Sequence, residues 1–281
     1  MPTLLEVLQK TAAFFEKRAI DQPRLNAELL FAHVLDCKRL DLYLQFERPM
    51  DAQLLDTLRP LVKRRAQREP LQYVLGDAHF VDLRLKVDAR VLIPRPETEE
   101  LIEHLVKLPG PKPAAILDLG TGSGAIALAL AKRFADAQVT AMDVSPDALA
   151  VARINAESNG LAGRVECVQS NWWSALQGRR FDWIVANPPY LTETEWASAE
   201  PEVRDYEPKQ ALVAADEGLA DLRTIITGAP EYLHPGGWLA LETGIAHHPA
   251  LMEHAASLGY QCHRSIQDLS GHDRLIFAQK R

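Results

Sequence analysis

The chain runs to 281 residues, 47% apolar and 25% charged, which is enough apolar material for a packed core and argues against an intrinsically disordered protein. Asp and Glu outnumber Lys and Arg 38 to 31, a formal charge of -7, so a grip carried by nucleic-acid phosphates is disfavoured. Cys37, Cys167 and Cys262 have no metal or redox spacing and read as free thiols of a reduced, cytoplasmic protein; residues 1–10 show no cleavable signal, and no run approaches the ~20 apolar residues of a membrane span.

Over residues 4–69 apolar positions recur at helical spacing: Leu5, Leu8, Ala12 and Phe15, then Ala27, Leu30 and Val34, then Leu54, Leu58 and Leu61 with Arg65. This predicts a small all-helical domain over 1–71. Asp21-Gln22-Pro23 and Arg48-Pro49-Met50-Asp51 break the helices, and Pro60 is expected to kink the last one or mark its true start. The basic run Lys63, Arg64, Arg65 and Arg68 reads as a solvated helix face. Over 72–93 the pattern turns to alternation, Phe80, Leu83, Leu85, Val87, Val91 and Ile93, broken at Asp88-Ala89-Arg90, which predicts a β-hairpin linking two domains. From 94 to 281 short apolar runs at 115–119, 139–143, 165–169, 183–186 and 238–241 alternate with helical stretches, the pattern of a doubly wound, Rossmann-like α/β sheet. Two last strand-like runs, 260–265 and 274–278, predict a closing antiparallel hairpin, more typical of methyltransferases than of dehydrogenases.

The run Asp118-Leu119-Gly120-Thr121-Gly122-Ser123-Gly124 follows a strand and opens a helix at Ala125, where glycines let backbone approach a ligand closely. Gly120, Gly122 and Ala125 also satisfy a dinucleotide fingerprint. Asp118 favours S-adenosylmethionine instead: a carboxylate there orients the turn and attracts the cationic methionyl end, whereas a pyrophosphate would be repelled. Asp143 ends the next strand and is placed to accept hydrogen bonds from both ribose hydroxyls, leaving Ser145 to cap the helix at Pro146. At the third strand end, Ser170-Asn171-Trp172-Trp173 offers an aromatic or amide border for adenine, with one tryptophan left for the core.

After the strand ending at Ala186 comes Asn187-Pro188-Pro189-Tyr190. The prolines stiffen the loop and leave carbonyl acceptors without N–H donors. The Asn187 side-chain oxygen and the Pro188 carbonyl can each hold one hydrogen of a planar NH2 group, and Tyr190 can stack on its plane. An amide nitrogen is a poor nucleophile, so the catalytic device expected of this turn is to hold it in line with a sulfonium methyl.

With Leu92-Ile93-Pro94-Arg95-Pro96-Glu97-Thr98-Glu99-Glu100-Leu101, these motifs resemble the release factor glutamine methyltransferases, the family called PrmC or HemK, over nearly the whole chain. Val203-Arg204-Asp205-Tyr206-Glu207-Pro208 and Ala214-Ala215-Asp216-Glu217-Gly218-Leu219 are similar to further segments of that family. The resemblance implies methylation of the Gly-Gly-Gln glutamine of class I peptide chain release factors to N(5)-methylglutamine, with S-adenosylhomocysteine as co-product. It implies that Asp118, Gly120, Thr121, Gly122, Ser123, Gly124, Asp143, Trp172 and Asn187 bind the cofactor. Asn187, Pro188, Pro189 and Tyr190 would hold the substrate glutamine, Asn187, Pro188 and Tyr190 acting in catalysis, with the helical domain recognising the substrate protein. Asn171 and Asp82 depart from the family pattern, which often has aspartate and glycine there.

The rival readings are a ribosomal-protein glutamine methyltransferase, an amino-methyltransferase acting on adenine or guanine, a nicotinamide dehydrogenase and a catalytically silent binding protein. The negative charge disfavours the nucleic-acid enzyme, Asp118 the dehydrogenase, and the intact Asn187 tetrapeptide the silent protein. His247-His248 has no third ligand at convincing spacing, so no metal is expected. The acidic run 193–202 reads as a solvated loop beside the active site. A monomer without direct membrane or nucleic-acid contact is expected.

Overall fold

The computed structural model describes residues 1–281 except the side chain of Cys262, so the free-thiol reading of Cys262 lies outside the described residues. Residues 1–76 and 200–206 form one compact unit, residues 77–199 and 207–281 a second.

The first unit is helical. α1 (Leu4–Glu16) starts in a capping box, the Glu6 N–H donating to Thr3 Oγ1 (3.3 Å) and the Thr3 N–H to Glu6 Oε2 (3.1 Å). Its buried stripe is Leu4, Leu8, Thr11 and Phe15, so Leu5 and Ala12 flank the core face. α2 (Pro23–Val34) buries Ala27, Leu30 and Phe31. α3 (Ala52–Ala66) is capped by Asp51, whose Oδ1 accepts the Leu54 N–H at 2.8 Å, and it carries Pro60 inside; the cap, and not the proline, marks its start. α4 (Leu71–Leu75) ends at Gly76 in the left-handed region, so Gln72 to Leu75 are helical and not the beginning of the hairpin.

In the second unit β1 (Asp77–Phe80) and β2 (Leu83–Lys86) form the hairpin with a two-residue turn at Val81-Asp82. The turn precedes the expected break at Asp88-Ala89-Arg90, because Glu99 Oε1 accepts the Val81 N–H (2.7 Å) and holds Val81 at φ +53°. Val87, Val91 and Ile93 are buried beyond the strands.

α5 (Pro96–Val106) leads to β3 (Ala115–Leu119), α6 (Ala125–Arg133), β4 (Gln138–Asp143), α7 (Pro146–Ser158), β5 (Val165–Gln169) and β6 (Phe181–Ala186). α8 (Glu193–Ser198) and α9 (Pro201–Arg204) precede α10 (Ala220–Tyr232), β7 (Leu233–Glu242), α11 (His248–Ser257), β8 (Gln261–Gln267) and β9 (Asp273–Gln279). The sheet order is β5-β4-β3-β6-β7-β9-β8, parallel up to β7, with β9 antiparallel to both neighbours. Successive strand residues serve opposite faces, as the two-residue period requires. Ile116, Val185 and Phe277 pack with α5 and α6, while Leu117, Ile184 and Ile276 pack with α10 and α11.

Two charged runs differ from their sequence reading. In the first unit Arg65 is only 5% exposed: its guanidinium donates to Asn26 Oδ1 (2.8 Å), the Glu69 carbonyl (3.1 Å) and Glu202 Oε1 (2.8 Å). Arg68 pairs with Glu200 (2.8 Å) and Glu202 (2.6 Å), and Arg64 with Glu69. Lys63 is exposed, as read, but the three arginines form a paired, partly buried cluster, with Glu69 close by in the chain and Glu200 and Glu202 from a distant stretch. The acidic run is mostly exposed, as read, but it is helical and not a loop: Glu193 opens α8 and pairs with Lys209 (2.8 Å), and Glu200 and Glu202 complete the arginine cluster.

Candidate active site

β3 has β4 on one side and β6 on the other, so the chain direction of winding reverses at the carboxyl end of β3, where open α/β sheets bind their ligands. A cavity of about 330 Å³ opens there. Its wall takes Gly120 and Gly122 from the loop after β3, Asp143 from β4, Trp172 from the loop after β5, and Asn187 and Pro189 from the loop after β6.

Asp118 lies beneath this wall, fully buried. Its Oδ2 accepts the Thr121 hydroxyl (2.6 Å) and the Ala127 N–H (3.0 Å), which ties the loop to the first turn of α6; its buried Oδ1 has no partner among the described residues. Burial pushes the carboxyl up to about 7. Thr121, Ser123 and Gly124 do not line the cavity. The Ser123 carbonyl accepts from Asn155 Nδ2 (2.8 Å). Gly124 has φ +85°, and a Cβ there would press on Leu128 and Ala152 at 3.2 and 3.3 Å, so glycine lets α6 approach α7.

Asp143 stands on the wall, Oδ2 accepting the Gly122 N–H and Oδ1 the Ser145 N–H, both at 2.9 Å. Ser145 caps α7 by accepting the Ala148 N–H (3.2 Å). The adjacent tryptophans divide their work. Trp172, at φ +46°, donates its indole N–H to Asp221 Oδ1 (3.0 Å) and lies beside Gly120 in the cavity. Trp173 stacks on Tyr232 at 4.9 Å and donates to the Thr224 carbonyl (3.0 Å). Asp221 was not singled out in the sequence; an acidic residue in the first turn of a helix has an ordinary helix-dipole explanation there.

At the Asn187 turn, Pro188 is buried and neither it nor Tyr190 lines the cavity. Asn187 Nδ2 donates to Thr98 Oγ1 (3.1 Å), and the Thr98 hydroxyl donates to Glu242 Oε2 (2.6 Å). The Tyr190 hydroxyl donates to Glu242 Oε1 (3.1 Å). Glu242, at the end of β7, is 1% exposed; burial pushes its carboxyl up, opposed by these two hydrogen bonds and by the charge of Arg274. Among the described residues, neither Asn187 Oδ1 nor the Pro188 carbonyl accepts a hydrogen bond. Sequence reasoning missed Glu242, and saw Thr98 only as part of a family segment.

Two further segments frame the cavity. Arg95 forms an ion pair with the buried Glu207, whose Oε2 also accepts the Ile93 N–H (3.3 Å). This ties residues 90–92 to residues 208–213, which supply opposing wall residues such as Leu92 and Pro208. His248 is buried between Thr243 Oγ1 and Ser265 Oγ, each at 2.7 Å, and His247 contacts the Glu217 carbonyl (3.0 Å).

The seven-stranded sheet with its antiparallel final hairpin, and a cavity at the carboxyl ends of β3 and β4, define a class I methyltransferase. Residues 96–200 match the family model described as methyltransferase small domain, and residues 6–76 that described as PrmC N-terminal domain. A solved methyltransferase from Pyrococcus furiosus shares the fold, with a TM-score of 0.54 at 22% identity over 70% of this chain and 89% of that one. So does the Thermus thermophilus 16S rRNA N2 G1207 methyltransferase, with a TM-score of 0.52 at 22% identity over 73% and 50%. Curated relatives are closer. The release factor glutamine methyltransferase of Geobacter sulfurreducens is 40% identical over 98% of this chain and 95% of its own length. That of Chlorobaculum tepidum is 46% identical over 85% of each chain, and that of Vibrio cholerae 40% over 99% and 96%. The chain belongs to the release factor glutamine methyltransferase family.

Proposed function

We propose that the protein transfers a methyl group from S-adenosylmethionine to the side-chain amide nitrogen of the Gly-Gly-Gln glutamine in class I peptide chain release factors, giving N(5)-methylglutamine. The observation that carries this reading is the pair of acceptors at the Asn187 turn, Oδ1 and the Pro188 carbonyl, matched to the two hydrogens of a planar primary amide. The names of the full-length relatives support it.

The residues present fit the cofactor. When bound, S-adenosylmethionine supplies a methyl group activated on a sulfonium. Each Asp143 oxygen accepts one backbone N–H and keeps lone-pair capacity for a ribose hydroxyl. Trp172 gives a flat border for a base. When ionised, Asp118 sets negative potential beneath the glycine loop through its unpartnered Oδ1, suited to a cationic methionyl end. Asn187 and Pro188 hold the substrate amide in plane, so that orientation and not a strong base prepares its nitrogen.

On this reading the first unit recognises the substrate protein, and the chain works as a monomer in the cytoplasm without direct membrane or nucleic-acid contact. Incubation with S-adenosylmethionine and a class I release factor, followed by peptide mass spectrometry, tests the assignment. One added methyl on the Gly-Gly-Gln glutamine is expected; an unmodified glutamine with methyl found at another side chain would overturn it.

A further inference from the structure

We propose that Thr98 and Glu242 are positioning residues that fix which end of the Asn187 amide faces the substrate, and so set the choice of glutamine over glutamate. The inference rests on the glutamine reading above. The two ends of an asparagine amide are nearly identical in shape and are distinguished by the hydrogen bonds open to them. In its ionised form Glu242 only accepts, and so takes the protons of both hydroxyls that reach it, from Thr98 at 2.6 Å and Tyr190 at 3.1 Å. A hydroxyl has one proton to give. Thr98 gives it to Glu242 and therefore presents only lone pairs to Asn187, at 3.1 Å. The Asn187 group facing Thr98 must be the NH2, which leaves Oδ1 as the outward group.

An outward acceptor attracts a glutamine NH2 and repels a glutamate oxygen. Without the Thr98 oxygen the Asn187 amide is free to turn over and present its NH2, which favours the wrong side chain. Thr98 is 4% exposed and Glu242 1%, so the chain is shielded from water that would otherwise satisfy either orientation.

The test compares wild type, Thr98→Val and Thr98→Ser in steady-state methylation of release factor. The same factor carrying Gly-Gly-Glu serves as competitive inhibitor, and circular dichroism and melting check folding. Valine keeps the shape and removes the acceptor; serine keeps the acceptor. A net hydrogen bond of about 1–1.5 kcal/mol corresponds to about a tenfold effect. We expect Thr98→Val to lose about tenfold in kcat/KM while the Gly-Gly-Glu factor inhibits it relatively about tenfold better, and Thr98→Ser to restore both. Folded Thr98→Val with unchanged preference for glutamine, or Thr98→Ser as impaired as valine, would overturn the proposal. Should wild type leave the release factor unmethylated, the functional reading itself fails, an outcome distinct from either variant result.

Discussion

On the proposed reading, Asp118 joins stability and cofactor binding in one side chain. Its carboxyl is raised to about 7 in the folded chain, from about 3.9 when unfolded. Between those values the native state keeps a proton that the unfolded state has released, so this group's contribution to stability falls as pH rises from about 4 to about 7 and is level above. Asp118→Asn imitates the protonated form and still accepts from Thr121 and Ala127. It should melt above wild type at pH 7, the gap closing toward pH 4, yet bind S-adenosylmethionine more weakly. Paired melting and calorimetric titration across that range would check both signs; a gap that widens toward low pH would contradict them. Several site residues were legible: Asp143 at the end of β4, and Trp172 and Asn187 in the loops just after β5 and β6, line one cavity because the carboxyl ends of these strands meet there. The division between Trp172 and Trp173 was not, since it depends on Tyr232 and Asp221, far off in sequence. Glu242 was hidden for the same reason: nothing beside it marks a partner on α5 and another after β6.

Elements with their own local signals were read well. The parallel strands show as apolar runs, and Ser145 caps α7 where the sequence places it. The hairpin turn was misplaced because Val81, a β-branched residue, adopts the left-handed region through a hydrogen bond to Glu99 that adjacent residues do not announce. Relief of that strain gives a prediction. Val81→Gly keeps the N–H to Glu99 and should raise stability by about 1 kcal/mol, since a β-branched side chain is costly at positive φ. Chemical denaturation would measure it, and a loss of stability would mean that the Val81 side chain contributes more than its backbone costs. The start of α5 shows how densely such tertiary roles are packed: Thr98 bonds Glu242 and Asn187, Glu99 the hairpin turn and Glu100 the Leu269 N–H (3.0 Å).

At the scale of the molecule, the alternation of strands and helices made the doubly wound sheet legible, while the arginine cluster was not, because Glu200 and Glu202 return to the helical unit from far along the chain. Each unit has its own core. Leu30, fully buried in the helical one, should cost about 2–5 kcal/mol when changed to alanine. Cofactor affinity in the second unit should stay unchanged by calorimetric titration; a parallel loss of affinity would show the two cores to be coupled. The most direct test of the whole account is a competition. Labelled S-adenosylmethionine is offered with intact release factor, the same factor lacking its Gly-Gly-Gln glutamine, ribosomal protein and nucleic acid. Label confined to the intact factor is the predicted result. Label on ribosomal protein or nucleic acid, with none on the factor, would leave the methyltransferase fold standing and contradict the substrate.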